Sequence, residues 1–188
     1  MRKPRLMTPG PAPVPEDVLL EMARPVIHHR SAEAKQNIVD AVAMLQEVFQ
    51  TRNDVMILTA SGTGAMEAAV VNTIPRGGKA LVLNAGWFAL RWAKICQAYG
   101  IHAVLLDTDW GQPVDPQQVA NALAAEPDIQ AVFGTLSETS TGTGHPVESI
   151  GRVVAPTDAV FAVDGISGIG AMECRTDAWR VDLLCVGS

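Results

Sequence analysis

The apolar run Val55-Met56-Ile57-Leu58 leads through Thr59-Ala60 into the turn Ser61-Gly62-Thr63-Gly64, and then into the helix formers Ala65-Met66-Glu67-Ala68-Ala69-Val70. No other stretch constrains the chain as much. The pattern predicts a strand, a tight turn and a helix. Such a turn sets the free backbone N–H groups of a helix start beside two hydroxyls, and the helix dipole adds partial positive charge, so the stretch reads as a phosphate cradle. Any strand-to-helix turn also wants glycines for positive φ and a Ser or Thr to cap the helix, and on this stretch alone the two readings stand side by side. A dinucleotide-binding loop is disfavoured, because Glu67 stands where a third glycine is needed and Asn84 where an acidic residue is needed. A Walker loop fails as well, since Gly77-Gly78-Lys79 is followed by Ala80.

The rest of the chain alternates. A Pro-rich arm from Leu6 to Arg30, broken by a short helical piece at Asp17 to Ala23, cannot bury itself and is expected to lie on another surface. His28-His29-Arg30 closes the arm as a polar turn. Ser31 then caps a helix running to about Gln50, with Ala34, Ile38, Ala41, Val42, Leu45, Val48 and Phe49 on one face. Strands are expected at Lys79 to Leu83, Ile101 to Leu106, Ile129 to Thr135, Asp158 to Val163 and Trp179 to Val186. Helices are expected from Gly86 to Tyr99, from Pro116 through Ala125 and from Pro146 to Val154. This alternation predicts an α/β fold with a mostly parallel sheet covered on both faces. At 188 residues, 48% of them hydrophobic, the chain has enough for one sizeable core.

A net charge of -6 with no basic cluster argues against nucleic acid or an anionic membrane as partner and favours small molecules. Cys96, Cys174 and Cys185 form neither a disulfide framework nor a zinc site, so buried free thiols are expected and no metal is assigned. No apolar run approaches membrane-spanning length, and a soluble, cytoplasmic protein is expected.

Ligands of such folds bind beyond the carboxyl ends of the strands, where four loaded turns fall: Ser61 to Gly64, Asn84 to Arg91, Ser137 to Gly142 and Asp164 to Ser167. Asp164-Gly165 alone would suit a plain hairpin turn. A carboxylate at a buried strand end beside a phosphate cradle is also well placed to pair with a ring-nitrogen cation, as pyridoxal 5′-phosphate (PLP) requires. Phe88 is either a core aromatic or a face for a flat ring. Glu138-Thr139-Ser140-Thr141-Gly142 offers hydroxyls to a phenolate-type oxygen, or serves as a loop and cap.

As a set and in this order, several motifs resemble the class V aminotransferases of PLP fold type I, in particular the serine/alanine:glyoxylate group. They are Thr8-Pro9-Gly10-Pro11 with Val14-Pro15, His29-Arg30-Ser31, Ser61 to Glu67, Glu138 to Gly142, and Val163-Asp164 with Val186-Gly187-Ser188. The resemblance covers the whole chain. It implies a three-layer PLP-dependent transferase large domain over residues 31–188, an arm over 1–30, and an absent small C-terminal domain. It further implies that Ser61, Gly62 and Thr63 hold the cofactor phosphate and that Phe88 stacks on the pyridine ring. Thr139 contacts the ring oxygen, Asp164 the ring nitrogen as the catalytic carboxylate, and Ile166 the opposite ring face.

Two positions depart from the family pattern: Leu136 stands in place of a histidine, and Ala89 in place of the glycine after Phe88. The Schiff-base lysine of the family is expected just after Ser188. Lys3, Lys35, Lys79 and Lys94 do not occupy its place, so the remainder of the polypeptide or a C-terminal partner chain is expected to supply it. The implied activity is transfer of the amino group of serine or alanine to glyoxylate or pyruvate, in a homodimer whose interface the arm helps to close. Cysteine desulfurase and other class V lyases are the rival enzymes, and a non-catalytic PLP-fold subunit is the rival outside catalysis. Relatives of the first kind stack a histidine on PLP, where this chain has Phe88.

Overall fold

The computed structural model describes residues 6–187. It falls into two compact units, one up to Met44 and one from Leu45 onward. In the first, α1 spans Glu16–Met22 and α2 begins at Ala32. Ser31 Oγ accepts the Ala34 N–H at 3.1 Å, the cap expected from the sequence. α2 runs to Phe49, and none of its residues is buried.

The second unit is built on β1 (Lys79–Asn84), β2 (His102–Asp107), β3 (Ala131–Thr135), β6 (Val160–Asp164) and β7 (Leu183–Cys185), all paired in parallel in the order β2-β1-β3-β6-β7. A two-residue ribbon, β4 (Ser137–Glu138) with β5 (Thr143–Gly144), was not expected from the sequence. Helices α3 (Gly62–Thr73) and α4 (Ala89–Ala98) cover one face, where Met66, Val70, Trp92 and Cys96 pack with Val82, Phe133 and Ala162. Helices α5 (Pro116–Ala125) and α6 (Val147–Val154) cover the other, where Val119, Leu123, Ile150 and Val154 pack with Leu81, Val132 and Phe161. A sheet buried on both faces needs apolar residues at every strand position, which is why β1 and β3 read as continuous apolar runs. The expected α/β architecture with a mostly parallel sheet is what the chain adopts.

Asp115 Oδ1 caps α5 through the Gln117 N–H at 2.9 Å, and Gly100, at φ +71, turns the chain out of α4. Cys96, Cys174 and Cys185 are free and buried. Among the described residues no helix is long and apolar enough to cross a membrane, and no group of His, Cys, Asp or Glu is arranged to hold a metal ion.

Two expectations fail. Val55 to Leu58 is not a strand: no described strand pairs with it, and Met56, Ile57 and Leu58 are 80%, 54% and 48% exposed. Apolar character there meets no neighbour to complete a ladder. The last strand is also shorter than expected, because Trp179 and Arg180 form a turn in which Arg180 has φ +60.

That turn packs against α6: a Cβ on Gly151 would come within 1.9 Å of the Trp179 carbonyl oxygen. On an open helix surface Gly→Ala stabilises by about 1 kcal/mol. Gly151→Ala is instead expected to destabilise by about 1–3 kcal/mol, since backbone must move to admit the methyl group. Thermal unfolding measures it, and a raised melting temperature would refute this packing.

Candidate functional site

The chain order of the sheet creates the crevice. From β1 the chain moves outward to β2 and then returns to β3 on the other side of β1, so the segments following β1 and β3 diverge. Side-chain alternation places Asn84, Thr135 and Asp164 at the carboxyl ends of β1, β3 and β6, on the face covered by α3 and α4. All three are buried.

Asp164 is 4% exposed. Its Oδ1 accepts the Ile166 N–H at 2.9 Å. Burial pushes its carboxyl up from 3.8 to about 6; the Ile166 amide and the Arg91 guanidinium pull it down, and the Glu138 charge pushes it up further. The neighbouring Cys185 thiol, on β7, is pushed up to about 12 by burial and by Asp164 itself.

Ser61 caps α3, its Oγ accepting the Gly64 N–H at 3.3 Å. The amides of Gly62 and Thr63 have no acceptor among the described residues and stand at the positive end of the helix dipole. Ile166 lies directly on this turn, for a Cβ on Gly62 would fall 2.4 Å from Ile166 Cδ1. Gly187 closes on the same spot, its would-be Cβ 3.3 Å from Ile166 Cγ2 and 3.8 Å from Gly62 Cα. Ser61, Gly62 and Thr63 are thus brought against the loop of Asp164 and Ile166.

Thr139 joins that loop from the other side: its hydroxyl hydrogen-bonds Ser167, not Asp164. Phe88 opens α4, with the Arg91 guanidinium carbon 4.8 Å from its ring centroid. Lys94 Nζ lies 5.0 Å from the Trp87 centroid. These four residues line a cavity of about 170 Å³. A larger one, about 590 Å³, lies at the opposite ends of the strands beside Asp177 and Arg180 and holds none of the residues gathered here. The smaller cavity touches neither Asp164 nor the Ser61–Thr63 turn, so the candidate site rests on the polar groups converging at the carboxyl ends of the strands and not on a cavity volume.

Sequence reasoning did not single out four contributors. Arg91 acts on Asp164 through charge. Asn84 Oδ1 and Thr135 Oγ1 are buried with no hydrogen-bond partner. Glu138 anchors the start of α4 from 49 and 50 residues away, a separation that no local pattern reveals.

The family described as Aminotransferase class-V matches residues 7–188, and the chain belongs to it. It is 41% identical to an uncharacterized aminotransferase of Methanocaldococcus jannaschii, over 99% of this chain and 48% of that protein. Against the soluble hydrogenase small subunit of a Synechococcus strain the figures are 40%, 99% and 49%. Against the serine–glyoxylate aminotransferase of Hyphomicrobium methylovorum they are 34%, 98% and 47%. The crystal structure of ureidoglycine–glyoxylate aminotransferase from Bacillus subtilis superposes with a TM-score of 0.91 at 30% identity, over 95% of this chain and 46% of that one. The chain spans about half the length of the curated relatives it matches.

Membership implies PLP as cofactor, and the residues present fit it. Open amides at a dipole end suit a phosphate, and a buried carboxylate with a single amide donor suits a protonated ring nitrogen. The orphaned Asn84 and Thr135 oxygens leave polar capacity in the same crevice.

Without cofactor, Asp164 binds its proton more tightly in the folded chain, at about 6, than at the ordinary 3.8. Its stabilising contribution is therefore full at low pH and is lost as pH rises from about 4 to about 6. The gap is worth about 3 kcal/mol at most. Asp164→Asn should make the cofactor-free protein relatively more stable at pH 8 than at pH 4, by up to that amount. Urea unfolding at the two pH values checks this, and parallel pH dependence of both proteins would refute it.

Proposed function

We propose that residues 31–188 are the cofactor-binding large domain, and 1–30 the arm, of a PLP-dependent transaminase that moves the amino group of serine or alanine to glyoxylate or pyruvate. One observation carries the reading. The buried Asp164 carboxylate, raised to about 6, belongs to a loop whose Ile166 rests on the open helix start at Gly62. An anion seat and a cation-seeking carboxylate brought together by one loop are what a phosphorylated, protonated pyridine ring needs.

When bound, PLP supplies an electron sink for the bond broken at the amino-bearing carbon. Ser61 and the amides of Gly62 and Thr63 receive its phosphate. Asp164 would hold the ring nitrogen protonated, and that close positive charge would in turn favour the Asp164 carboxylate. Phe88 and Ile166 would hold the ring from its two sides, and the Thr139 hydroxyl, bonded to Ser167 here, would turn to the ring oxygen. Arg91 and Lys94 leave positive charge beside the crevice that favours the carboxylates of amino acid and 2-oxo acid substrates. The lysine that would hold the cofactor and carry the proton would come from the remainder of the polypeptide or from a C-terminal partner chain. The reading includes a homodimer and a cytoplasmic location; three free, buried thiols support a reducing compartment.

The test uses the intact polypeptide that carries this chain, loaded with PLP and given L-serine or L-alanine with glyoxylate. Glycine is the expected product with glyoxylate, and alanine from L-serine when pyruvate replaces it, both measured by chromatography; absence of both products would sink the transaminase reading. Asp164→Asn should keep the melting temperature near that of the parent while cutting turnover by roughly a hundredfold, since a neutral amide does not hold the ring nitrogen protonated. Parent-level turnover would remove Asp164 from the site.

A further inference from the structure

Glu138 is fully buried, and among the described residues no Lys, Arg or His lies within salt-bridge distance of it. Its carboxylate is nonetheless saturated with donors. Oε2 accepts the N–H groups of Phe88 at 3.1 Å and Ala89 at 2.9 Å. Oε1 accepts the Phe88 N–H at 3.3 Å, the Ser140 N–H at 3.1 Å and the Ser140 hydroxyl at 2.6 Å. Ser140 Oγ in turn accepts the Trp87 N–H at 3.1 Å. Three consecutive amides at the start of α4 are therefore satisfied by the segment that follows β3, and Phe88, the residue at the N-cap position, makes no side-chain cap of its own.

Space is arranged around the same carboxylate. A Cβ on Gly86 would lie 2.5 Å from both Cγ and Cδ of Glu138 and 2.8 Å from Ser140 Oγ. Glycine at 86 is what lets the two segments meet. The next residue after Glu138 is Thr139, bound to Ser167 in the loop beyond Asp164.

We propose that Glu138 is a positioning residue of the cofactor site: its buried carboxylate locks the start of α4, and with it the Phe88 ring, to the segment carrying Thr139, across the point where the chain reverses between β1 and β3. The inference rests on the PLP reading above. Glu138, fully buried, acts through Phe88 and the segment carrying Thr139. Its charge also reaches Asp164 and His145.

The groups facing Asp164 are Arg91 on α4, Glu138 on β4, the Ile166 amide in its own loop and the Cys185 thiol on β7. Burial is the main upward push on Asp164 and remains when the Glu138 charge is removed, so the loss of that smaller push lets Asp164 stay ionised to slightly lower pH. His145, which burial holds below its ordinary value, loses the upward pull of Glu138 and gains no charge in exchange.

The intact polypeptide, stripped of cofactor, is titrated with PLP by quenching of tryptophan fluorescence from pH 5 to pH 8. Glu138→Gln is expected to raise the PLP dissociation constant about tenfold at pH 8, because its amide NH₂ faces donors it cannot satisfy. In the same variant the pH at which affinity falls should move down relative to the parent. Glu138→Asp keeps the charge and shortens the reach, so affinity should drop while the acid midpoint stays in place. Loss of affinity with an unmoved midpoint in Glu138→Gln would reduce Glu138 to a structural prop and overturn the electrostatic half of the proposal. Parent-like affinity and midpoint would overturn all of it. Should Glu138→Gln not fold, Ser140→Ala decides: it removes the link to Trp87 and should weaken PLP binding several-fold, and no change there or in Glu138→Asp overturns the proposal. A parent protein that takes up no PLP instead sinks the functional reading itself, an outcome distinct from all of these.

Discussion

The crevice depends on how the amides at the start of α4 are satisfied. Where a parallel sheet reverses its winding, the segments leaving β1 and β3 part company, and the helix start between them is left open on its inner side. Phe88 cannot cap its own helix, so an acceptor must arrive from the other segment. Glu138 is that acceptor. Burying a carboxylate without a cation is costly, and what offsets it is the density of N–H and O–H donors together with the positive end of the α4 dipole. Ring and hydroxyl positions on the two sides of the crevice are consequently set by one group.

Two buried carboxylates then share the crevice with contrasting hydrogen bonding. Glu138 is surrounded by donors from Phe88, Ala89 and Ser140. Asp164 accepts one amide, from Ile166, with Arg91 contributing only at a distance. Burial penalises the charged form of Asp164, which has one donor, and a cation placed against it would relieve that penalty. The asymmetry in hydrogen bonding leaves Glu138 committed to backbone and Ser140 donors and Asp164 with acceptor capacity to spare.

The parts of this arrangement that were legible in the sequence are those carried by local pattern. β1, β3 and β6 are apolar runs between turn residues, and Ser31, Asp115 and Ser61 mark helix starts by short-range capping chemistry. Asp164 was legible because it terminates such a run. Asn84, Arg91 and Glu138 fell within turns expected at the site, but their individual roles, like that of Thr135, were not legible, since these arise from strand order and from contacts tens of residues apart. The β4–β5 ribbon escaped for a related reason: two residues per strand carry no period to detect. Gly86 held a partial signal, being a glycine at a buried position, but a sequence does not say which side chain requires the space.

Val55 to Leu58 shows where propensity misleads without cost to the site. A strand needs a ladder partner as well as apolar residues, and no described strand supplies one there. The cradle does not rely on it. α3 is fixed by Met66, Ala69 and Val70, which are buried against the sheet, and its first turn is fixed by Ile166 lying on Gly62. Both contacts come from the far side of the chain, so the helix start keeps its place whatever the preceding segment does. The same Ile166 donates its amide to Asp164. The start of α3 and the Asp164 carboxylate are therefore set relative to each other by a single residue, and the Ser61 to Thr63 turn keeps its open helix start without the strand expected before it.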